Sequence, residues 1–138
     1  MVAPYIDAFI APVRDNDTAQ VAIVAVLLLT LVDVGFGIIG AVMRHEFSSK
    51  TMRVGIGHKS ASFGMLIIGD IVDGTLIGGL DIGFTSPVLI AICGYLAIME
   101  IGSVLETLAA LNPDLADSPA FRILKSVTEH DEHNEGGE

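Results

Sequence analysis

Three long apolar stretches limit what this chain can fold into. They cover residues 19–43, 60–80 and 88–108. A helix rises about 1.5 Å per residue, so each stretch can cross a hydrocarbon layer of about 30 Å. The chain has 138 residues, of which 51% are apolar, and its mean hydropathy is +0.65, which is high for a soluble domain. The sequence therefore predicts an all-α membrane protein with three transmembrane helices in one domain, residues 19–111.

The segments that flank these stretches are more polar. Residues 1–18 are predicted to form an amino-terminal arm, and residues 112–138 a tail. Within the tail, Asp117 or Ser118 can cap a short amphipathic helix at about 119–129, with Pro119 in its first turn. This helix could lie on the membrane surface or dock against the bundle. The remaining residues form an acidic tail.

The basic residues predict how the chain is oriented. Four of them lie in the predicted first loop: Arg44, Lys50, Arg53 and Lys59. The arm contains only Arg14. Because cytoplasmic loops are enriched in Lys and Arg, we expect the amino terminus outside and the carboxyl terminus in the cytoplasm. A cleaved signal peptide is the alternative for the first stretch, but the arm is net negative and the stretch is too long for a signal core.

Acidic residues interrupt all three predicted spans. They are Asp33, Asp70, Asp73, Glu100 and Glu106. In the second span, apolar side chains contribute about −4 kcal/mol to insertion and two aspartates oppose it by up to about 6 kcal/mol. That span is expected to need its neighbours. With the predicted boundaries, Asp33 and Asp70 lie about ten residues from the cytoplasmic ends of their spans and should meet near the midplane.

Small residues predict close contacts between the helices. The positions concerned are Gly35, Gly37, Gly40, Gly69, Gly74 and Ser103. The predicted spans contain no Lys, Arg or His that could pair with the acids, and "GIGHK" (residues 55–59) is interpreted as a bend before the second helix. The acids can be explained in two ways, as helix contacts or as a water-facing, pore-lining surface.

Enzymatic and ligand-binding chemistry is not indicated. There is no Ser-His-Asp or Cys-His arrangement in a supportive setting, so no catalytic residue, cofactor or metal site is predicted. His130 and His133 belong to the acidic tail and are interpreted as solvated. Cys93 is interpreted as a packing residue. The net charge of −10 gives no indication of nucleic-acid binding.

Several motifs together resemble the small holins of phage lysis and toxin secretion in Gram-positive bacteria. The resemblance rests on "LVDVGFG" at the first span, the Ser48-Ser49 pair in the loop, and "MEIGSVLETLAAL" at the third. The matching positions are Asp33 with Gly37 four residues later, and Glu100, Ser103 and Glu106 at intervals of three. The resemblance covers residues 19–116.

This resemblance implies a multi-pass protein of the host cytoplasmic membrane that associates with itself and opens lesions. An endolysin, or in relatives a toxin, then crosses; it is a functional partner without stable binding, and an antiholin is a possible partner. Under this hypothesis Asp33, Asp70 and Asp73 face helices in the dispersed state and water in the open state.

Two other classes of function remain open. One is a small proton-coupled or multidrug transporter; the scarcity of aromatic residues (no Trp, two Tyr) and the lack of a basic counter-ion argue against it. The other is an antiholin or a membrane assembly subunit, which would insert and associate without permeabilising the membrane.

Overall fold

The described part of the chain, residues 3–80 and 86–129 of a computed structural model, is helical and contains no strand. Six α-helices follow one another: α1 (Ala3–Arg14), α2 (Asp17–Met43), α3 (Ser49–Gly74), α4 (Pro87–Leu111), α5 (Pro113–Ala116) and α6 (Pro119–Glu129). A π-helical turn, Thr75–Gly79, extends α3. Three helices are long and apolar enough to cross a membrane: Asp17–Met43, Met52–Ile77 and Pro87–Leu111. The predicted fold class, including the short carboxyl-terminal helix, is confirmed.

Helix α4 lies between α2 and α3 and packs against both. The buried residues of α2 are Ala19, Val26, Thr30, Asp33 and Gly40, and those of α4 include Leu89, Cys93, Leu96 and Glu100. Both sets recur at intervals of three, four or seven residues, which places each set along one stripe of its helix. The stripes form a core that is narrow and mostly apolar, with carboxylates within it.

The contact between α3 and α4 depends on a glycine. A Cβ atom at Gly69 would lie 3.3 Å from the Cα of Leu89 and 2.8 Å from the Cδ1 of Ile92. Only a glycine lets the two backbones approach this closely without a shift of Ile92.

The boundaries of α4 have local causes, whereas the start of α3 does not follow local preference. Pro87 is in the first turn of α4, and the helix ends before Asn112-Pro113, as predicted from the sequence. Helix α3 begins at Ser49, eleven residues before the predicted span, so "GIGHK" is helical and its interpretation as a bend is wrong. Glycine costs a helix only about 1 kcal/mol, and the length of α3 with its packing against α4 offsets the cost of Gly55 and Gly57.

Both ends of the chain form helices that dock on the bundle. The predicted arm contains α1, which contacts α3, the π-helical turn and α2. Helix α6 contacts α4, and Thr128 lies beside Gly102. The backbone amide of Phe121 donates to the Ser118 hydroxyl, which caps α6. The contact with α4 fits docking, one of the two locations predicted for this helix, and its position relative to the membrane stays a prediction. The predicted acidic end of the tail, with His130 and His133, lies outside the described residues.

Candidate functional site

Three charged side chains from three different helices lie at one depth. Asp33 is ten residues before the end of α2, Lys59 is ten residues after the start of α3, and Glu100 is eleven residues before the end of α4. At about 1.5 Å per residue, each is about 15 Å from the ends of the helices on the side of the α2–α3 loop. We call Asp33, Lys59 and Glu100 the charged cluster.

The lysine joins the two acids. The Nζ atom of Lys59 lies 2.9 Å from Oδ2 of Asp33, and it also donates a hydrogen bond to Oε2 of Glu100. The side chain of Glu100 is 5% exposed, that of Asp33 12% and that of Lys59 20%. The ammonium group of Lys59 on α3 therefore links the carboxylate of Asp33 on α2 to that of Glu100 on α4.

The chemistry of this arrangement is that of a buried ion pair with a second acid. A charge at the centre of a membrane is costly unless a partner of opposite charge faces it. Removing one member of a buried pair leaves the other uncompensated, which costs about 3–5 kcal/mol. With all three groups ionised, the cluster has one negative charge in excess. It holds the three helices together only while Lys59 stays between the carboxylates.

The heptad spacing of α3 explains why Lys59 faces inward. Leu66 follows Lys59 by seven residues and Asp73 follows by another seven, and both are buried. Residues seven apart lie close to the same face of a helix. This regularity was available in the sequence, and it would have placed Lys59 on the packed face of a longer α3.

The position of Lys59 corrects two expectations. The sequence was interpreted as having no basic partner for the acids, and Lys59 was assigned to the cytoplasmic loop. Because α3 begins eleven residues earlier than predicted, Lys59 takes the depth expected for Asp70. Asp33 therefore meets Lys59 and Glu100 at that depth, and Asp70 lies about three turns further along α3.

Asp73 is a helix cap at the other end of the bundle. Its side chain is fully buried, and its two oxygens accept hydrogen bonds from the backbone amides of Val88 (3.2 Å) and Leu89 (2.7 Å). The first amides of a helix have no partner within the helix, and they favour negative charge. Asp73 therefore fixes the start of α4 to α3, a role that the sequence analysis did not assign.

The other predicted acids are placed differently. One carboxylate oxygen of Asp70, Oδ1, is buried and has no hydrogen-bond partner within the described part of the chain. Glu106 is exposed and Ser103 is half-buried. The structure thus brings Asp33 and Glu100 together and leaves Asp70, Asp73 and Glu106 apart from them.

The predicted packing glycines also differ from one another. Gly69 lies at the α3–α4 contact described above. A Cβ at Gly74 would lie 3.0 Å from the carbonyl oxygen of Ala8 and 3.1 Å from the Cα of Phe9 in α1. For a Cβ at Gly40 the three nearest atoms belong to the Arg44 side chain, at 3.5–3.7 Å, and a Cβ at Gly35 or Gly37 would meet no atom within 4 Å.

The remaining basic residues of the predicted loop are exposed at the surface of the protein. Arg44 pairs with Glu46 at 3.2 Å, the Nε of Arg53 donates to the Ser49 carbonyl at 3.3 Å, and Lys50 is exposed. Among the residues that the structure describes, no group of three His, Cys, Asp or Glu side chains could hold a metal ion.

Comparison with known proteins gives one match. Residues 18–118 match the bacteriophage holin family, and this range includes all three long helices and the charged cluster. No curated protein and no solved structure matches the chain. The matched residues make up well over half of the sequence. The holin family consists of non-enzymatic membrane proteins, and three apolar helices fit a multi-pass protein of the cytoplasmic membrane. The chain belongs to the bacteriophage holin family.

Proposed function

We propose that this chain is a holin that associates with itself in the cytoplasmic membrane and opens lesions for an endolysin, or in a toxin-secreting context for a toxin. The passenger crosses the lesion without binding the chain stably. Family membership supports the general role, and the charged cluster supports the specific mechanism.

The charged cluster is the observation that carries this proposal. In the single chain, the contacts of Lys59 with Asp33 and Glu100 keep all three groups away from lipid. Helices that separate would expose these groups, and exposed charges are stable only against water. We infer a closed state in which the cluster is intact and an open state in which its members face water between assembled chains.

The outward face of α2 supports self-association. It exposes a band of large apolar side chains: Val21, Val24, Leu27, Leu28, Leu31, Val32, Val34, Ile38, Ile39 and Val42. Gly35 and Gly37 lie in the same helix with open space around them. Small residues permit close approach of helices in membranes, so this face suits a second copy as well as lipid.

We propose that the amino terminus is outside. Arg44, Lys50 and Arg53 remain near the α2–α3 loop after Lys59 is assigned to the cluster, whereas Arg14 is the basic residue of the arm. The positive-inside rule therefore still favours a cytoplasmic α2–α3 loop. Arg122 and Lys125 in α6 fit a cytoplasmic tail.

Culture density after induction in a bacterium tests the function. One strain carries a cytoplasmic muralytic enzyme without an export signal and the other lacks it. Abrupt lysis only when both proteins are present would show a lesion large enough for a protein. Growth arrest without lysis would contradict release of endolysin and indicate a small ion-conducting pore.

A transporter is the second candidate because Lys59 is the basic counter-ion whose absence argued against it. Substrate-dependent uptake into vesicles, without release of protein, would favour that function. Insertion with neither lysis nor uptake would favour an antiholin or an assembly subunit.

A further inference from the structure

Helix α1 packs at the end of the bundle where α2 and α4 begin. The midpoint of α1 contacts Gly74. Near the carboxyl-terminal end of α1, the carbonyl of Pro12 accepts a hydrogen bond of 2.6 Å from the buried hydroxyl of Ser86. Asp73, the neighbour of Gly74, caps the start of α4, so both contact points are at the level of the first residues of α4. Helix α1 also contacts the π-helical turn and α2, so it packs at this end of the bundle.

Hydrogen bonds from Ser86 and Gln20 hold the carboxyl-terminal end of α1 in place. The last carbonyls of a helix have no partner within the helix. Besides the bond from Ser86 to Pro12, the side-chain amide of Gln20 donates to the carbonyls of Val13 (3.1 Å) and Arg14 (2.9 Å). Helix α1 is therefore a fixed part of the structure at this level of the bundle.

Two further faces of α1 are exposed and have opposite character. Ile6 and Ile10 are four residues apart, so they share one side, and they are 52% and 50% exposed. On another side, Asp7 and Arg14 form an exposed ion pair, and Arg14 also hydrogen bonds to Asp15. This hydrogen bond lowers the pKa of Asp15, which keeps its carboxylate ionised at neutral pH. The charged side favours contact with water.

We propose that α1 is an interfacial helix whose Ile6–Ile10 face binds phospholipid at the boundary between acyl chains and headgroups. The level of α1, at the ends of three membrane-spanning helices, is the level of that boundary. An exposed apolar side beside a charged side fits an amphipathic helix in the plane of the interface. Asp7, Arg14 and Asp15 together carry one negative charge, so the contact needs no anionic lipid.

Tryptophan fluorescence tests this inference, because the chain has no Trp of its own. The full-length variants Ile10→Trp and Asp7→Trp are reconstituted in phosphatidylcholine vesicles whose acyl chains carry bromine either near the ester group or near the methyl end. Both side chains are exposed in the same helix, so the pair is matched. Circular dichroism verifies that each variant keeps its helix content.

We expect emission from position 10 to be blue-shifted and to be quenched by the shallow bromine at least about twofold more than emission from position 7. Adding phosphatidylglycerol should leave this difference unchanged. Equal, weak quenching at the two positions would contradict a lipid-facing Ile10, and stronger quenching by the deep bromine would contradict an in-plane helix. Neither result depends on whether the chain opens lesions.

Discussion

At the scale of single residues, Lys59 provides the positive charge that pairs with the buried carboxylates. Two carboxylates from parallel helices, Asp33 on α2 and Glu100 on α4, face one ammonium group from α3. In lipid this arrangement replaces the water that the three groups would otherwise require. We therefore expect the stability of the proposed closed state to depend on a lysine near the middle of a membrane helix.

Replacing Lys59 by methionine should open the closed state early. The Lys59→Met variant leaves Asp33 and Glu100 without their cation, which destabilises the closed arrangement by about 3 kcal/mol. Lysis, in a strain with a cytoplasmic muralytic enzyme, should then begin earlier at matched protein levels. Lys50→Met is the control because Lys50 is exposed, and its onset should equal that of the native chain. Identical onset for both variants would contradict the role of Lys59.

Asp73 contributes to stability by a separate route. Asp73→Ala leaves the buried amide of Leu89 and the part-buried amide of Val88 without acceptors, so the free energy of unfolding should fall by about 1–3 kcal/mol. Denaturant titration in mixed micelles measures this change. Asp17→Ala, at an exposed position in the first turn of α2, should cost clearly less. Equal costs would show that Asp73 is not a structural cap.

At the scale of helices, α3 shows what the sequence could predict and what it could not. Its apolar half and the two neighbouring spans follow from hydropathy. Its first eleven residues do not, because Gly55, Gly57 and the polar residues around them are typical of a bend. In the structure they are helical and mostly exposed, and Lys59 at the end of this stretch contacts α2 and α4. Because α3 begins about three turns earlier than predicted, Lys59 lies in the helix and in the charged cluster, and not in the predicted loop.

Helix α1 was missed for a related reason. It contains Pro12, which disfavours a helix interior, and its stability depends on Gly74, Ser86 and Gln20, which are distant in sequence. Contacts of this kind cannot be read from local propensity. The acids Asp33 and Glu100 are site candidates from the sequence alone and both contact Lys59 in the structure, whereas finding that lysine required the register between three helices.

The contact between α1 and α3 makes a prediction for Gly74. In Gly74→Ala, the new methyl group would lie 3.0–3.1 Å from backbone atoms of Ala8 and Phe9, so α1 must move away. Hydrogen exchange at the backbone amides of residues 8–11 and 13–15 should become faster. Gly64→Ala is the matched control in the same helix, since a Cβ there meets no atom within 4 Å. Equal exchange in the two variants would argue against the docked position of α1.

At the scale of the whole molecule, the proposed orientation can be tested by labelling. In a Cys93→Ala background, Thr18→Cys lies at the start of α2 and Phe47→Cys in the α2–α3 loop, and both positions are exposed. A membrane-impermeant maleimide added to intact cells before lysis should label position 18 and not position 47. Labelling of position 47 alone would reverse the orientation. The basic residues of the α2–α3 loop predict the first result.

The proposed closed state depends on the three charges of the charged cluster acting together. The most direct measurement is the onset of lysis for Lys59→Met compared with the triple variant Asp33→Asn, Lys59→Met, Glu100→Gln, at matched protein levels and with a cytoplasmic muralytic enzyme. The triple variant removes the cation and both carboxylates, so no unpaired charge destabilises its closed state. We expect early lysis for the single variant and an onset no earlier than that of the native chain for the triple variant. A triple variant that lyses as early as the single one would contradict this expectation.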